Sequence, residues 1–475
     1  LAAAIIREPV MPAVPSKVST REAKAALANL MNHSAAELAD RTIERRAVEA
    51  AIWGMPLVNT DAMRQAYFRD VGAKYNDICY FSKPADWHFQ VTTPNASTNY
   101  IFFCFSLKDG PVVIDVPAAV GAGLLGAITN AWDEPLTDIG PAGDDLGNGG
   151  KYLLLPPDFE GEPPSGFFPL RCSTYNGYAL FRAIPAGSTD ADVAASLALV
   201  KKLRVYPLAK QNSPPDQRFI DIHGKTFEGI ADFDERFFAK LNRMVQEEPV
   251  QPRDLVMMGM LKSIGIEKGK PFVPDAAMQG VLRAAAQEAH AQFVEGLTSY
   301  SQPWWPDRHW SPPDSRGIET SFTFLTADVL DVDARGWANF AAFALPKKTG
   351  ESLVYLFTFR DGGGERLSGE RTYTVRIPAN VPAKQYWSMI VYDVLTAGLM
   401  REASTVTLDS YNRTMSRNID GSVDIYFGPK APAGKEANWI YTAPVRAFFP
   451  CMRFYGPEKP LFDKTWVLPD IEKTA

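Results

Sequence analysis

Apolar and polar positions recur along this chain with two different periods, and the changes of period divide it into four stretches. Between Ser19 and Asp70 the period is helical. Two capping-box starts, Ser19-x-x-Glu22 and Ser34-x-x-Glu37, each precede an Ala/Leu-rich run, and in such a box the paired side chains satisfy the free N–H groups of the first turn. Pro56 follows Ala51-Ile52-Trp53-Gly54-Met55 and, lacking an N–H, predicts a kink or short loop there.

From Tyr75 to about Ile184 the runs become short and β-rich: Ile78 to Phe81, His88 to Thr92, Tyr100 to Leu107, Val112 to Val116, Lys151 to Leu155 and Gly177 to Ala183. Gly- and Asp-rich turns separate them, as at Lys108-Asp109-Gly110-Pro111, which is the signature of antiparallel layers. Helical spacing returns after Ser188 and near Asp234 to Val245, Pro252 to Ile264 and Asp275 to Tyr300. Beyond about Thr320 the pattern is β again, with Leu353 to Phe359, Tyr373 to Ile377, Tyr386 to Tyr392, Ser422 to Phe427 and Ala447 to Tyr455. The fold class predicted is mainly β with a helical insert. Its parts are a helical segment at 1–74, a β-sandwich at 75–187, a helical connecting region at 188–318 and a jelly-roll-like β-sandwich at 319–475.

Composition narrows the classes of function. Hydrophobic residues are 46% and charged residues 22% of the 475, a balance that supports buried cores. With 49 basic and 55 acidic side chains, and no run of five or more like charges, the clustered Lys and Arg that neutralise nucleic-acid phosphates are missing, so no nucleic-acid partner is expected. The most apolar stretches, such as Tyr100 to Phe105, fall far short of the roughly 20 residues that span a bilayer, so the chain is not expected to be membrane-spanning. Leu1-Ala2-Ala3-Ala4 reads either as the remnant of a processed export signal or as an arbitrary chain start. Cys79, Cys104, Cys172 and Cys451 lack CxxC spacing and nearby His, which argues for buried thiols over a zinc site or redox dithiol. A bridge between Cys79 and Cys104 stays open if their strands pair.

Several segments together resemble a known family. They are Trp53-Gly54-Met55-Pro56-Leu57-Val58, Thr93-Pro94-Asn95-Ala96-Ser97-Thr98-Asn99-Tyr100, Gly110-Pro111-Val112-Val113-Ile114-Asp115-Val116-Pro117 and Leu203-Arg204-Val205-Tyr206-Pro207-Leu208. At the C-terminus stand Tyr386-Trp387-Ser388, Tyr392-Asp393, Asn438-Trp439 and Arg453-Phe454-Tyr455-Gly456-Pro457. In this order they resemble the exported bacterial family that pairs domain of unknown function 1254 with domain of unknown function 1214. The resemblance implies an Ig-like sandwich first, a small helical domain, a jelly roll last, and a periplasmic or secreted location. Ser97, where the family usually has Asp, and Ala142, where Arg is common, are departures that put a shared polar site in doubt.

No metal site is expected, because the five histidines show no ligand spacing. Asp328, Asp331 and Asp333 read as a solvated turn, since the Gly and closing Glu of a calcium loop are absent. No cofactor is expected either. The α/β-hydrolase segment G-x-S-x-G does not occur, and a dinucleotide site needs G-x-G-x-x-G opening a helix, whereas the glycines are read as hairpin turns. The candidates for acid–base chemistry are His88, Asp133 and Asp393. Those for ligand contact are Asn95, Thr98, Asn99, Trp132, Tyr392, Asn438, Trp439 and Arg453, with Arg453 pointing outward or paired to a carboxylate such as Asp393. Three indoles in Pro303-Trp304-Trp305-Pro306-Asp307-Arg308-His309-Trp310 suit either a stacked planar ligand or a rigid seam between domains. The function expected is an envelope protein that binds a small molecule or glycan in an inter-domain cleft and, if it is an enzyme, a hydrolase without nucleotide cofactor. The alternative is a non-catalytic structural or interaction module forming homo-oligomers.

Overall fold

In the computed structural model the described residues are 20–187, 189–299, 302–313, 315–348 and 353–474. The segment Leu1 to Ala4, and the cap expected at Ser19, the helix start expected at Ser188 and the helix end expected at Tyr300, lie outside them.

After α1 (Thr20–Met31), α2 (Ala35–Arg69) begins where the sequence predicts, with the Ser34 side chain accepting the Glu37 N–H at 3.1 Å. The kink predicted at Pro56 does not occur: the helix runs through it. Almost every side chain from Ala47 to Tyr67 is buried, so neighbours hold the helix on all sides. The Ile52 carbonyl, which Pro56 cannot serve, is closely approached by Gly336, where a Cβ would stand 3.0 Å from it.

The N-terminal strands are β1 (Ile78–Tyr80), β2 (Phe89–Gln90), β3 (Asn99–Ser106), β4 (Val112–Val116), β5 (Ala122–Asn130), β6 (Pro135–Ile139), β7 (Gly150–Leu155), β8 (Phe168–Arg171) and β9 (Asn176–Pro185). After α3 (Asp190–Val200) come β10 (Arg204–Pro207), β11 (Phe219–Asp221) and β12 (Phe227–Glu228). They build a six-stranded sheet, β11-β1-β3-β9-β5-β6, and a four-stranded sheet, β10-β4-β7-β8, while β2 and β12 form a separate pair. Thus residues 204–207 and 219–221, in the stretch read as helical, add strands to both sheets.

The two sheets close on a core that includes Ile101, Phe103, Phe105, Ile114, Leu154 and Phe181. The opposite face of the six-stranded sheet is covered as well, by Met63, Ala66 and Tyr67 of α2 against Phe102, Tyr178 and Leu180. Burial on both faces explains why β3 and β9 read as continuous apolar runs.

The helical middle packs α4 (Arg236–Glu247), α5 (Leu255–Ser263) and α6 (Ala276–Ser299) around α2, joined by α7 (Ser315–Glu319) and α8 (Val332–Ala341). Asp331, one of the three aspartates considered for calcium, caps α8 by accepting the Ala334 N–H at 3.0 Å and pairs with Arg316 at 2.8 Å. The C-terminal sandwich holds β13 (Leu353–Phe357), β14 (Tyr373–Ile377), β15 (Ala383–Asp393), β16 (Thr407–Asp409), β17 (Val423–Gly428), β18 (Trp439–Tyr441), β19 (Phe448–Pro457) and, after the short α9 (Lys459–Phe462), β20 (Glu472–Lys473). Its sheets run β13-β19-β15-β16 and β18-β17-β14-β20. The whole is mainly β with a helical region in the middle.

The glycines are not all in turns. Gly121-Ala122-Gly123-Leu124-Leu125-Gly126 has dinucleotide spacing, yet it enters and runs along β5, antiparallel to both neighbours, with no helix following. Gly126 lies opposite Phe181, and a Cβ there would collide with the Leu180 carbonyl. Gly126→Ala is expected to lower stability by roughly 1–3 kcal/mol through overpacking. Gly259→Ala in α5, where nothing stands near, should instead raise it by about 0.4–1 kcal/mol. Urea unfolding of the two variants measures both signs.

Candidate ligand-binding site

Strand alternation places Tyr178, Leu180 and Arg182 of β9 on the sheet face turned away from the sandwich core. Tyr100 of β3 is the cross-strand neighbour of Arg182, and the guanidinium lies 5.2 Å from the centre of its ring. The C-terminal domain repeats the arrangement: Arg453 of β19 is opposite Tyr355 of β13, 4.5 Å over its ring. Each domain therefore brings one Arg–Tyr pair to the seam, and the pairs line one cavity.

Both arginines are buried, Arg182 at 5% exposure and Arg453 at 2%. Arg453 is held by its surroundings: one guanidinium nitrogen donates to the Thr93 carbonyl at 2.9 Å and to the Tyr392 hydroxyl at 2.5 Å, and Tyr392 in turn donates to the Pro94 carbonyl at 2.6 Å. Among the described residues the Arg182 guanidinium has no hydrogen-bond partner, neither guanidinium has a carboxylate, and the Nε of each has no protein partner. Burial pushes the hydroxyl pKa of Tyr355 and Tyr392 up, so the two rings that face Arg453 stay neutral.

The cavity leaves about 80 Å³ to the centres of water-sized molecules. Apolar side chains make most of its wall, with Met63 from α2, Phe89 and Leu180 from the N-terminal sheets, Trp337 from α8, and Phe357 and Phe449 from the C-terminal sandwich. Among the described residues no Asp, Glu, His, Cys or Ser lines it, and no group of three or more His, Cys, Asp or Glu side chains is placed to hold a metal.

Of the residues singled out from sequence, Arg453 lines this cavity. Tyr392 orients it, and Asn95 stands just behind. The Asn95 side-chain amide donates to the Tyr455 hydroxyl and its backbone N–H donates to the Tyr100 hydroxyl at 2.8 Å, tying the two domains together. Arg453 does not pair with Asp393, which is bound to Arg446 at 3.1 Å and accepts the Leu395 N–H.

The other candidates lie elsewhere. His88 stacks on Trp87 and contacts Asp86 at 2.9 Å. Thr98 and Asn99 are buried at the start of β3. Trp132 packs edge-on against Trp53 at 4.9 Å, beneath Arg335. Asn438 binds the Ser416 backbone and the Asp424 carbonyl, and the Trp439 indole donates to the Gly428 carbonyl at 2.9 Å. In the Trp-rich linker, Trp305 and Trp310 are buried, and the Trp310 indole donates to the Pro469 carbonyl at 2.9 Å. All four cysteines are free and buried, including Cys79 and Cys104.

Asp133 is a clamp. It is buried in the β5–β6 turn, and both its oxygens accept the Ala344 N–H at 3.1 Å, anchoring the chain beside Phe343 and Leu345 of the cavity wall. Burial raises its carboxyl well above the usual range. A carboxyl with a raised folded-state pKa contributes stability below its unfolded value of about 3.9, and loses that contribution as pH rises toward the folded value. Asp133→Asn is therefore expected to gain on wild type as pH is raised from about 4, by up to about 1.4 kcal/mol per unit. Urea midpoints across a pH series check the slope; a constant difference would remove Asp133 as its source.

Sequence reading missed Arg182, Tyr100 and Tyr355. The signal was present in Gly177-Tyr178-Ala179-Leu180-Phe181-Arg182-Ala183, where a lone charge interrupts an otherwise apolar strand and so must be buried with it.

Comparison with known proteins agrees with this architecture. Residues 75–207 match DUF1254 and residues 352–459 match DUF1214, each described as a protein of unknown function. No curated protein matches the chain in sequence. Among solved structures, the VPA0106 protein from Vibrio parahaemolyticus is similar with a TM-score of 0.54 and 16% identity, over 91% of this chain and 100% of that one. An uncharacterised protein from Burkholderia cenocepacia aligns with a TM-score of 0.40 and 14% identity, over 91% and 94% of the two chains. The first likeness is one of fold.

Proposed function

The chain belongs to the family that pairs DUF1254 with DUF1214, and from that footing and the geometry of the seam we propose that it binds a small organic anion with an apolar body between its two sandwiches. The observation that carries this is the pair of buried guanidiniums, Arg182 and Arg453, which line one cavity with no carboxylate beside them. An unpaired buried cation is costly, and an incoming carboxylate or phosphate relieves that cost through charge-assisted hydrogen bonds.

The apolar walls suit an alkyl or aromatic body better than a glycan, whose hydroxyls would lose their hydrogen bonds to water there. Binding is favoured over hydrolysis because acid–base work near neutral pH is best served by a carboxylate or imidazole within hydrogen-bond reach of the substrate, and the described walls carry neither.

Calorimetric titration with decanoate, decanol and decylamine separates the two contributions. Decanoate should bind with one site per chain. Decanol should bind at least about tenfold more weakly, since hydrogen bonds to charged groups are worth roughly 1.5–3 kcal/mol, and decylammonium should not bind. Equal affinity for decanoate and decanol would refute a role for the guanidiniums.

A further inference from the structure

The anion cavity has a neighbour. A second chamber, which leaves about 200 Å³ to the centres of water-sized molecules, lies beyond its wall, and Pro312, Pro313, Phe322, Leu345 and Tyr355 line both. These five residues belong to the wall between the chambers. The second chamber is walled by apolar and aromatic residues with no charged side chain among those described, and it extends to Trp304, Ile318 and Phe462. Ile318 is 40% exposed and Phe462 46% exposed, so this end reaches the surface.

One residue of the partition, Phe322, sits in an unusual turn. Ser321, Phe322 and Phe324 all have positive φ, at 50°, 59° and 55°, a conformation that non-glycine residues avoid. The turn directs the Phe322 and Phe324 rings onto Gly317, where a Cβ would meet them at 2.9 and 3.1 Å. Hydrocarbon is the chemistry that such a chamber accepts, because a polar group inside it would lose water without gaining a partner. The arginines stand at one end of the series and the exposed apolar mouth at the other.

We propose that the two chambers form one channel for a long-chain carboxylate, its head between Arg182 and Arg453 and its tail passing the Phe322–Leu345 partition toward Ile318 and Phe462. This rests on the anion-binding reading above and names the ligand class: a single unbranched acyl chain longer than the first cavity alone would hold.

The test is a titration series from decanoate to hexadecanoate on wild type and on Ile318→Asp, an exposed substitution that spares the core. Affinity should keep rising with length, by about fourfold for each methylene newly buried. Ile318→Asp should weaken hexadecanoate at least about tenfold, the loss of a few buried methylenes, and leave decanoate unchanged. If decanoate binds but longer chains bind no more tightly, or Ile318→Asp leaves hexadecanoate unaffected, the channel is overturned and the anion site stands. If decanoate itself fails to bind, the anion site falls and the channel with it. Phe462→Asp, at the same exposed mouth, gives a second arm: it should weaken hexadecanoate and leave decanoate unchanged, and an unaltered hexadecanoate affinity would overturn the channel.

Discussion

Arg182→Met should abolish decanoate binding while leaving the ligand-free protein at least as stable as wild type. The guanidinium is buried and makes no hydrogen bond or ion pair among the described residues, so the ligand-free fold bears its desolvation with only the face of Tyr100 in return. Replacing a buried charge by an apolar side chain of similar length is often neutral or stabilising by about 1–4 kcal/mol. The ligand, in contrast, loses charge-assisted hydrogen bonds worth roughly 1.5–3 kcal/mol each, so affinity should fall about a hundredfold or more. Arg453→Met should lose binding to a similar extent but also destabilise, by about 1–3 kcal/mol, because the Thr93 carbonyl and Tyr392 hydroxyl lose their donor. Thermal unfolding paired with calorimetry reads both quantities. A marked loss of stability in Arg182→Met would mean that this arginine serves the fold.

Asp61→Ala should cost about 3–5 kcal/mol, the largest stability effect expected of a single polar side chain here. Asp61 is fully buried on α2, where its carboxylate binds Arg64 at 2.8 Å and Arg243 of α4 at 2.5 Å, and Arg64 also binds Glu247 at 2.5 Å. Removing the carboxylate leaves Arg64, 3% exposed, with one acid in place of two and unties α4 from the central helix. Asp61→Asn, which keeps one acceptor oxygen, should cost less. Urea unfolding of the two variants tests the order, and an Asp61→Ala loss below about 1 kcal/mol, the range of exposed pairs, would show that the cluster behaves as a surface one.

The positions of the strands and helices that depend on period were legible in the sequence. β3, β4, β7 and β9, and in the C-terminal half β13, β14, β15, β17 and β19, combine apolar runs with turn residues, and Ser34 marks the start of α2. β5 was not legible: its Ala and Gly content weakens the β signal, although Gly126 is small because β9 passes so close. The helix at Val332–Ala341 was hidden inside a stretch that reads as β, and the unbroken path of α2 through Pro56 depends on packing from elements distant in sequence. The same holds for the site. Arg453 and Tyr392 sit in recognisable C-terminal motifs, but the partner arginine lies 271 positions earlier, and only the meeting of two sheets places both on one cavity. Asn95 and Asp133 look like ligand-binding or catalytic residues in sequence because polar side chains in loops commonly are; here their partners are backbone groups and hydroxyls that hold the domains together.

A crystal structure of the decanoate complex decides the central claim. The carboxylate should lie within about 2.7–3.2 Å of guanidinium nitrogens from both Arg182 and Arg453, with the chain running along the aromatic wall. A carboxylate seated against other residues while the space between the two arginines holds only solvent would show that they do not form the anion site.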